Sequence, residues 1–188
     1  MENTLRLLRI SKHTREYADV KRLYLTAFPP AERLPFRLLT KRAAAGKADF
    51  WGLYDGSRWV GFAYVIRGEG LAYLYFFAVS PENRNGGYGS AALQTMKQLY
   101  ENDNLFLALE QPDPHADNYN ERLRRHDFYL RNGLHDLPHK IREMTMVYNA
   151  MGTGTPIAPA AFDRMMRRFL GKLFYFPVHT KIIPDETD

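Results

Sequence analysis

The stretch LAYLYFFAVSPENRNGGYGS, residues 71–90, decides the fold. Leu71 to Val79 is a run of apolar and aromatic residues that reads as a β-strand, and Ser80-Pro81 ends it. Arg84-Asn85-Gly86-Gly87-Tyr88-Gly89-Ser90 is rich in glycine. Directly after it, Ala92, Leu93, Met96, Leu99 and Tyr100 recur with helical spacing. The order is strand, turn, glycine loop, helix, which is the layout of an anion site. Glycines let the backbone turn tightly and leave no Cβ to hold a ligand away, so successive N–H groups can converge on phosphate oxygens. The helix that starts there adds its unpaired N–H groups and the positive end of its dipole. A plain glycine turn capping a helix would use the same letters; the strand before and the helix after favour the anion site.

Upstream, Asp49 to Tyr54 and Trp59 to Ile66 read as strands joined by the hairpin signals Asp55-Gly56 and Gly68-Glu69-Gly70, so an antiparallel meander leads into the glycine loop. Before it, Leu5 to Ile10 reads as a strand, and Val20, Leu23, Tyr24 and Ala27 mark an amphipathic helix that ends before Pro29-Pro30. Phe28 to Phe36, with its three prolines, reads as an ordered loop into a second helix over Arg37 to Ala45, which Gly46 stops. Downstream, Leu105 to Leu109 suits a short buried strand and Gln111 to Asp117 a polar loop. Tyr119, Leu123, His126 and Leu130 predict a helix that closes at Asn132-Gly133. Strands around Leu137 to Ile141 and Glu143 to Asn149 complete the core. Gly152 to Pro159 then links to a last helix with the stripe Phe162, Met165, Met166, Phe169 and Leu170, followed by an aromatic tail that packs back.

A chain of 188 residues, 45% of them hydrophobic, is long enough for one good core and short for two. With 25% charged residues, 13 Gly and 11 Pro, it is neither disordered, collagen-like nor low-complexity, and it shows no internal repeat. Zero cysteines exclude disulfides, Cys-ligated zinc, iron–sulfur clusters and a thiol nucleophile, and fit a reducing compartment. Met1 to Ser11 lacks the pattern of a secretory signal and no window reaches the ~18 apolar residues of a membrane span, so a cytoplasmic protein is expected. His115, His126 and His139 have no metal-ligand spacing, so no metal is expected. A net charge of +5 favours anionic partners such as a polyphosphate cofactor, nucleic acid or a membrane surface; a basic solvated face would account for it equally.

The glycine loop is not the dinucleotide fingerprint, whose glycine spacing and βαβ setting differ, nor a Walker loop, which needs Gly-Lys-Ser/Thr. Arg84-x-x-Gly87-x-Gly89 resembles the R/Q-x-x-G-x-G/A signature of the GNAT (Gcn5-related N-acetyltransferase) superfamily, and Phe128-Tyr129-Leu130-Arg131-Asn132-Gly133-Leu134 is similar to that family's F/L-Y-x-x-x-G-F helix end. The resemblance implies an α+β fold of α/β/α layers, with a mixed, mostly antiparallel central sheet and flanking helices, over about Leu5 to Asn149. The family domain is drawn at residues 1–150, with residues 151–188 as a C-terminal helical extension packed on it. The resemblance further implies an N-acetyltransferase that takes acetyl from acetyl-CoA directly to a primary amine of a small molecule or peptide. Asn85, Gly86, Gly87, Tyr88, Gly89 and Ser90, with Arg84, would then cradle the pyrophosphate. The backbone of Phe77, Ala78 and Val79 would pair with the pantetheine arm near a bulge, where one N–H polarises the thioester carbonyl.

By the same resemblance Tyr129 stands beside the coenzyme sulfur as general acid. With a thiol near ~8.5 and a tyrosine near ~10, full proton transfer is uphill by roughly 2 kcal/mol, so a hydrogen bond to the departing sulfur is expected. Glu110 matches the glutamate that often serves as base. A lysine-like amine near ~10.4 is neutral about once in ~2,500 molecules at pH 7, and a glutamate near ~4.3 needs desolvation or a water relay to help. Many members place Asn seven and Ala four residues before the tyrosine, where this chain has Arg122 and Arg125. With Tyr129 these share one helical stripe, and they either reach the coenzyme phosphates or form a solvated basic face. In the family the loop holding Glu32 and Arg33 commonly walls the acceptor pocket; a rigid connector with two solvated charges is the alternative. Two other functions remain open. One is a coenzyme-A-binding sensor or partner module without catalysis. The other, less favoured, is a nucleic-acid or membrane binder using Arg164, Arg167, Arg168 and Lys172 of the last helix. The acceptor, the acyl length and the oligomeric state, with room for a homodimer, are not legible.

Overall fold

A computed structural model describes residues 5–143, 145–178 and 180–184. Residues 1–4 of the N-terminal stretch, residues 185–188 of the tail and the side chain of Lys172 lie outside the described set. The chain forms two compact units, the first built from Met1–Ile66 and Leu74–Leu99, the second from Arg67–Tyr73 and Tyr100–Asp188.

The first unit runs β1 (Arg6–Arg9), α1 (Tyr17–Ala27), a 3-10 turn (Pro30–Glu32), α2 (Phe36–Ala44), β2 (Ala48–Asp55), most of β3 (Arg58–Gly68) and of β4 (Leu71–Val79), a second 3-10 turn (Pro81–Asn83) and α3 (Tyr88–Leu99). β1 pairs antiparallel with β2 from Arg6↔Tyr54 to Arg9↔Trp51, and β2 pairs antiparallel with β3 from Ala48↔Ile66 to Asp55↔Arg58. α1 buries Val20, Leu23 and Tyr24 of the expected stripe. At the end of α2, Gly46 N–H bonds the Ala43 carbonyl and Lys47 N–H the Arg42 carbonyl, a Schellman closure at the glycine that the sequence marks as the stop. The core is aromatic. Tyr24 meets Phe76 edge-on at 4.9 Å and Phe36 at 5.5 Å, and Phe50 bridges Phe36 and Phe62 at 5.8 Å each. The hydroxyls of Tyr24 and Tyr64 donate to the carbonyls of Leu34 and Leu39, and burial raises both phenols well above their ordinary range. Leu99, expected on the inward stripe of α3, is 48% exposed; the helix ends there and the next residue, Tyr100, is buried instead.

In the second unit, Leu71 to Tyr73 of β4 pair in parallel with β5 (Asn104–Leu109) from Leu71↔Asn104 to Tyr73↔Phe106. β5 pairs antiparallel with β7 (Met146–Gly152), β7 with β6 (His135–Glu143), and β6 with β8 (Lys181–Pro184). The β6–β7 register breaks between Asp136 and Lys140, around Pro138, which has no N–H to give a ladder. The strand order is β1-β2-β3-β4-β5-β7-β6-β8, an eight-stranded and mostly antiparallel sheet. α4 (Tyr119–Arg131) ends in a second Schellman closure, Gly133 N–H to the Leu130 carbonyl and Leu134 N–H to the Tyr129 carbonyl, at the expected Asn-Gly pair. Its facing differs from expectation. Leu123 and Leu130 are 37% and 42% exposed, no residue of α4 is buried, and its half-covered residues are Tyr119, Arg122, Arg125, His126, Phe128 and Tyr129. Three of these, Arg122, Arg125 and His126, have an acidic partner.

The last helical run, α5 (Pro159–Val178), is broken at Gly171, where φ is +70°. Phe162, Met165, Met166, Phe169 and Leu170 are all at most 1% exposed, and Phe162 lies 6.0 Å from Phe106 and 5.9 Å from Tyr73. His139 Nε2 accepts the Ile157 N–H at 2.8 Å and ties the linker down. Beyond the break, Tyr175 donates to Asp163 and lies under Arg167 at 4.2 Å, so this part of the tail does fold back. Among the described residues no helix is long and apolar enough to cross a membrane.

Two substitutions test this frame. A Cβ at Gly61 would lie 2.3 Å from the Ala78 carbonyl oxygen, a backbone atom that cannot swing aside. Gly61→Ala should cost about 1–3 kcal/mol and lower the Tm by several degrees in thermal unfolding; an unchanged Tm would refute the close approach of β3 and β4. Arg33 Nη1 donates to the Leu25 carbonyl at 3.0 Å, satisfying an acceptor in the last turn of α1. Arg33→Ala should cost about 0.5–1 kcal/mol, read as a Tm lower by roughly 1–4 °C.

Candidate active site

The first unit supplies the glycine turn. After Val79 the Ser80 N–H bonds the Val60 carbonyl at 2.9 Å, and buried Asn83 donates from Nδ2 to Ser80 Oγ at 2.7 Å, which locks the short helix before the turn. Residues 84–87 are exposed, with Asn85 at φ +63° and Gly87 at φ +78°. A Cβ at Gly87 would meet no atom within 4 Å, so the turn is open to solvent on that side, as a phosphate cradle must be. The first helical bond of α3 recorded after the turn is Ala91 N–H to the Gly87 carbonyl, and the N–H groups preceding it head the helix. The Arg84 side chain is exposed and makes no hydrogen bond or ion pair among the described residues, so its guanidinium is available beside the turn.

Tyr88 faces the other way. Its hydroxyl donates to Asp55 Oδ2 at 2.8 Å and accepts from Arg58, whose guanidinium also reaches Asp55 at 3.1 Å. The bond to Asp55 raises the Tyr88 phenol, and the bonds from Tyr88 and Arg58 lower the Asp55 carboxyl. The Tyr88 side chain is thus committed to the β2–β3 hairpin, which leaves only its backbone N–H at the turn. Nothing in the local sequence pattern of Asp55 or Arg58 points to Tyr88. Phe77 and Val79 are half-buried and Ala78 is buried on β4, whose carbonyl at residue 78 explains the glycine at position 61.

In the second unit Glu110 follows the last residue of β5, with its side chain 17% exposed. Arg122 Nη2 lies 3.1 Å from Oε1 as an ion pair, and Arg125 Nη2 donates to Oε2 at 2.5 Å, so each carboxylate oxygen faces one guanidinium of α4. Arg122 also donates from Nε to Asn118 Oδ1 at 2.7 Å and from Nη1 to the Gln111 carbonyl at 3.2 Å. The structure therefore brings together Glu110, Arg122 and Arg125, three residues that sequence reading had divided between base and coenzyme. Asn118 was missed; its place four residues before Arg122 was the signal available. Tyr129, one turn on, is half-buried with its ring edge-on to Phe128 at 5.2 Å. Burial pushes its phenol up to about 12 against the opposing charge of Arg125. Its hydroxyl has no hydrogen-bond partner among the described residues, which leaves a protonated donor at neutral pH.

A groove of about 320 Å³ opens beside this cluster, lined by Glu110, Arg122, the loop residues 111–114 and the start of β7, where Met146 and Val147 are 45% and 41% exposed. In the first unit, Glu32 lies half-buried in its 3-10 turn and Arg33 is held on the end of α1. Among the described residues no group of three or more His, Asp or Glu side chains could hold a metal. His126 is bonded to Asp136 at 3.0 Å and His139 accepts from Ile157. On α5, Arg164 is paired with Glu69 at 2.7 Å and Arg167 with Asp163 at 2.6 Å, so two of the cations read as a binding face are spent within the unit.

A family model described as the acetyltransferase (GNAT) family matches residues 17–133, more than half the chain. No curated protein matches the sequence. Among solved structures, a Bacteroides thetaiotaomicron protein described as an acetyltransferase from the GNAT family is similar with a TM-score of 0.69 at 21% identity, over 92% of this chain and 99% of that one. That coverage extends beyond residues 1–150 into the C-terminal segment. Arabidopsis thaliana Naa50 in complex with the bisubstrate analogue CoA-Ac-MVNAL gives 0.58 at 14% identity over 80% and 99% of the two chains. An aminoglycoside 6'-N-acetyltransferase complexed with coenzyme A gives 0.58 at 11% identity over 81% and 99%. At these identities the structural likeness establishes the fold, and the model match over the segment that holds the glycine turn and Tyr129 establishes the lineage: the chain belongs to the acetyltransferase (GNAT) family.

Proposed function

We propose that the protein is an N-acetyltransferase that carries acetyl from acetyl-CoA directly to a primary amine of a small molecule or peptide. The observation that carries the reading is the exposed turn of residues 84–87 at the head of α3, open at Gly87 and flanked by an uncommitted Arg84. Backbone N–H groups of residues 85–90 and the Arg84 guanidinium would hold the pyrophosphate, and the backbone of residues 77–79 would lie along the pantetheine arm with one N–H toward the acyl oxygen. Coenzyme-bound structures of the similar Arabidopsis and aminoglycoside enzymes support this assignment of the donor. Acetyl-CoA supplies the acetyl group as a thioester; its C–S bond breaks as the amine's N–C bond forms, so the protein must support a departing thiolate and an outgoing proton.

Tyr129 suits the first task as a hydrogen-bond donor. With its phenol near about 12 and a thiol near ~8.5, complete transfer of its proton would be uphill by roughly 5 kcal/mol, so it stabilises the leaving sulfur while keeping its proton. Glu110 suits the second through water, because both of its oxygens already bind arginine and a direct proton acceptor would have to give up a partner. The groove beside Glu110 is the proposed entry for the acceptor. Glu32 and Arg33 are proposed, from the family resemblance, as substrate-binding residues. A cytoplasmic location, room for a homodimer, and a catalytic domain over residues 1–150 with residues 151–188 as its extension belong to the same reading. The doubly clamped Glu110 also favours a second reading, a coenzyme-A-binding module without turnover.

Acetyl-CoA should raise the Tm, and Gly87→Val should abolish that shift, since a branched side chain at φ +78° is strained and fills the open side of the turn. Tight calorimetric binding by Gly87→Val would remove the turn from the coenzyme site. Tyr129→Phe should keep acetyl-CoA affinity within about threefold and slow single-turnover transfer at least about tenfold, because only the hydroxyl is lost. The reaction itself is tested by thiol release from acetyl-CoA across polyamines, amino acids, aminoglycosides and N-terminal peptides. Binding without release on any amine would favour the silent module.

A further inference from the structure

Arg122 is tethered at every nitrogen of its guanidinium, to Asn118 Oδ1, the Gln111 carbonyl and Glu110 Oε1. Swinging it toward another anion would break three contacts at once. Arg125 closes on the other carboxylate oxygen from one turn further along the same helix. Its Nε is buried without a partner, so the side chain is held by the Glu110 contact and by packing. A glutamate at a strand end would otherwise sample many rotamers; here one guanidinium nitrogen on each oxygen holds it in one orientation, at the wall of the groove.

We propose that Arg122 and Arg125 are positioning residues that act through Glu110, fixing its carboxylate at the groove, and that neither contacts the coenzyme phosphates. The assignment rests on the proposed acetyl transfer in one respect only: what the positioned carboxylate does is order the water that receives the amine proton. The pairing itself stands on geometry. Two arginines on one carboxylate form a coupled unit, so their removal should be non-additive with removal of the carboxylate, whereas phosphate contacts would be independent of it.

The test uses the full chain and four variants, Arg122→Gln, Arg125→Gln, Glu110→Gln and Arg125→Gln/Glu110→Gln, with Arg122→Lys and Arg125→Lys as versions that keep the charge and spare the fold. Calorimetry with acetyl-CoA should give a Kd within about threefold of wild type for each arginine variant. Loss of a charge-assisted phosphate bond would weaken it at least about tenfold, and that result in the lysine or glutamine variants would overturn the proposal. In thiol release with the best amine of the panel, Arg125→Gln should lower kcat at least about tenfold in the wild-type background and less than about twofold in the Glu110→Gln background, with the KM for acetyl-CoA unmoved. Equal losses in both backgrounds would also overturn it. If no amine is acetylated the proposed reaction fails, but the cycle is still read on the Glu110 side-chain carboxyl resonance of 13C-glutamate-labelled protein, assigned by its loss in Glu110→Gln. That resonance should move in Arg122→Lys and in Arg125→Lys, and its remaining in place in both would refute the clamp.

Discussion

Tyr24 is the side chain on which the first unit depends. At 1% exposure its ring touches Phe28, Phe36, Phe62 and Phe76, and so joins α1, α2, β3 and β4 in one contact set. A phenol taken out of water must find an acceptor or forfeit about 1–3 kcal/mol, and it finds the Leu34 carbonyl in the loop between the two helices. That bond, with Arg33 on the end of α1, makes the proline-containing loop a fixed connector. The same packing holds Phe76 on β4, and β4 leads directly into Ser80, the buried Asn83 and the glycine turn. The turn is therefore exposed at its tip and rigid at its root.

The second unit is held by two different kinds of force. α5 and the strands β5 and β7 exclude water from Phe106, Phe162, Met165, Met166 and Phe169, which is non-directional and strong. α4 buries nothing fully; it is attached by Arg122 and Arg125 on Glu110, by His126 on Asp136 and by the Schellman closure at Gly133. Such contacts contribute less net stability, because the charges give up water to make them, but they set orientation closely. They hold Arg122 and Arg125 toward Glu110, with Tyr129 one turn on.

Sequence periodicity succeeded where burial alone decides. The stripes of α1 and α5, the strand runs and both glycine stops follow from water exclusion and from backbone geometry, which each residue carries with it. It failed on α4. Of the expected stripe, Tyr119 and His126 are half-covered while Leu123 and Leu130 are exposed, and Arg122 and Arg125 turn toward a carboxylate at the end of β5. No local pattern in residues 119–131 contains Glu110. The β6 irregularity around Pro138 and the break at Gly171 were likewise written in single letters whose consequences depend on the neighbouring strand or helix.

The sequence by itself determined the order of elements, the glycine turn at a helix head and the tyrosine on the helix that ends in Asn-Gly, because each is a local matter of sterics, hydrogen bonding or periodicity. Which partner each polar side chain takes was decided only in three dimensions. Arg33 went to the end of α1, Tyr88 to Asp55, and Arg122 and Arg125 to Glu110. A guanidinium or a phenol is satisfied by any acceptor within about 3 Å, and which acceptor lies there is a property of the folded chain.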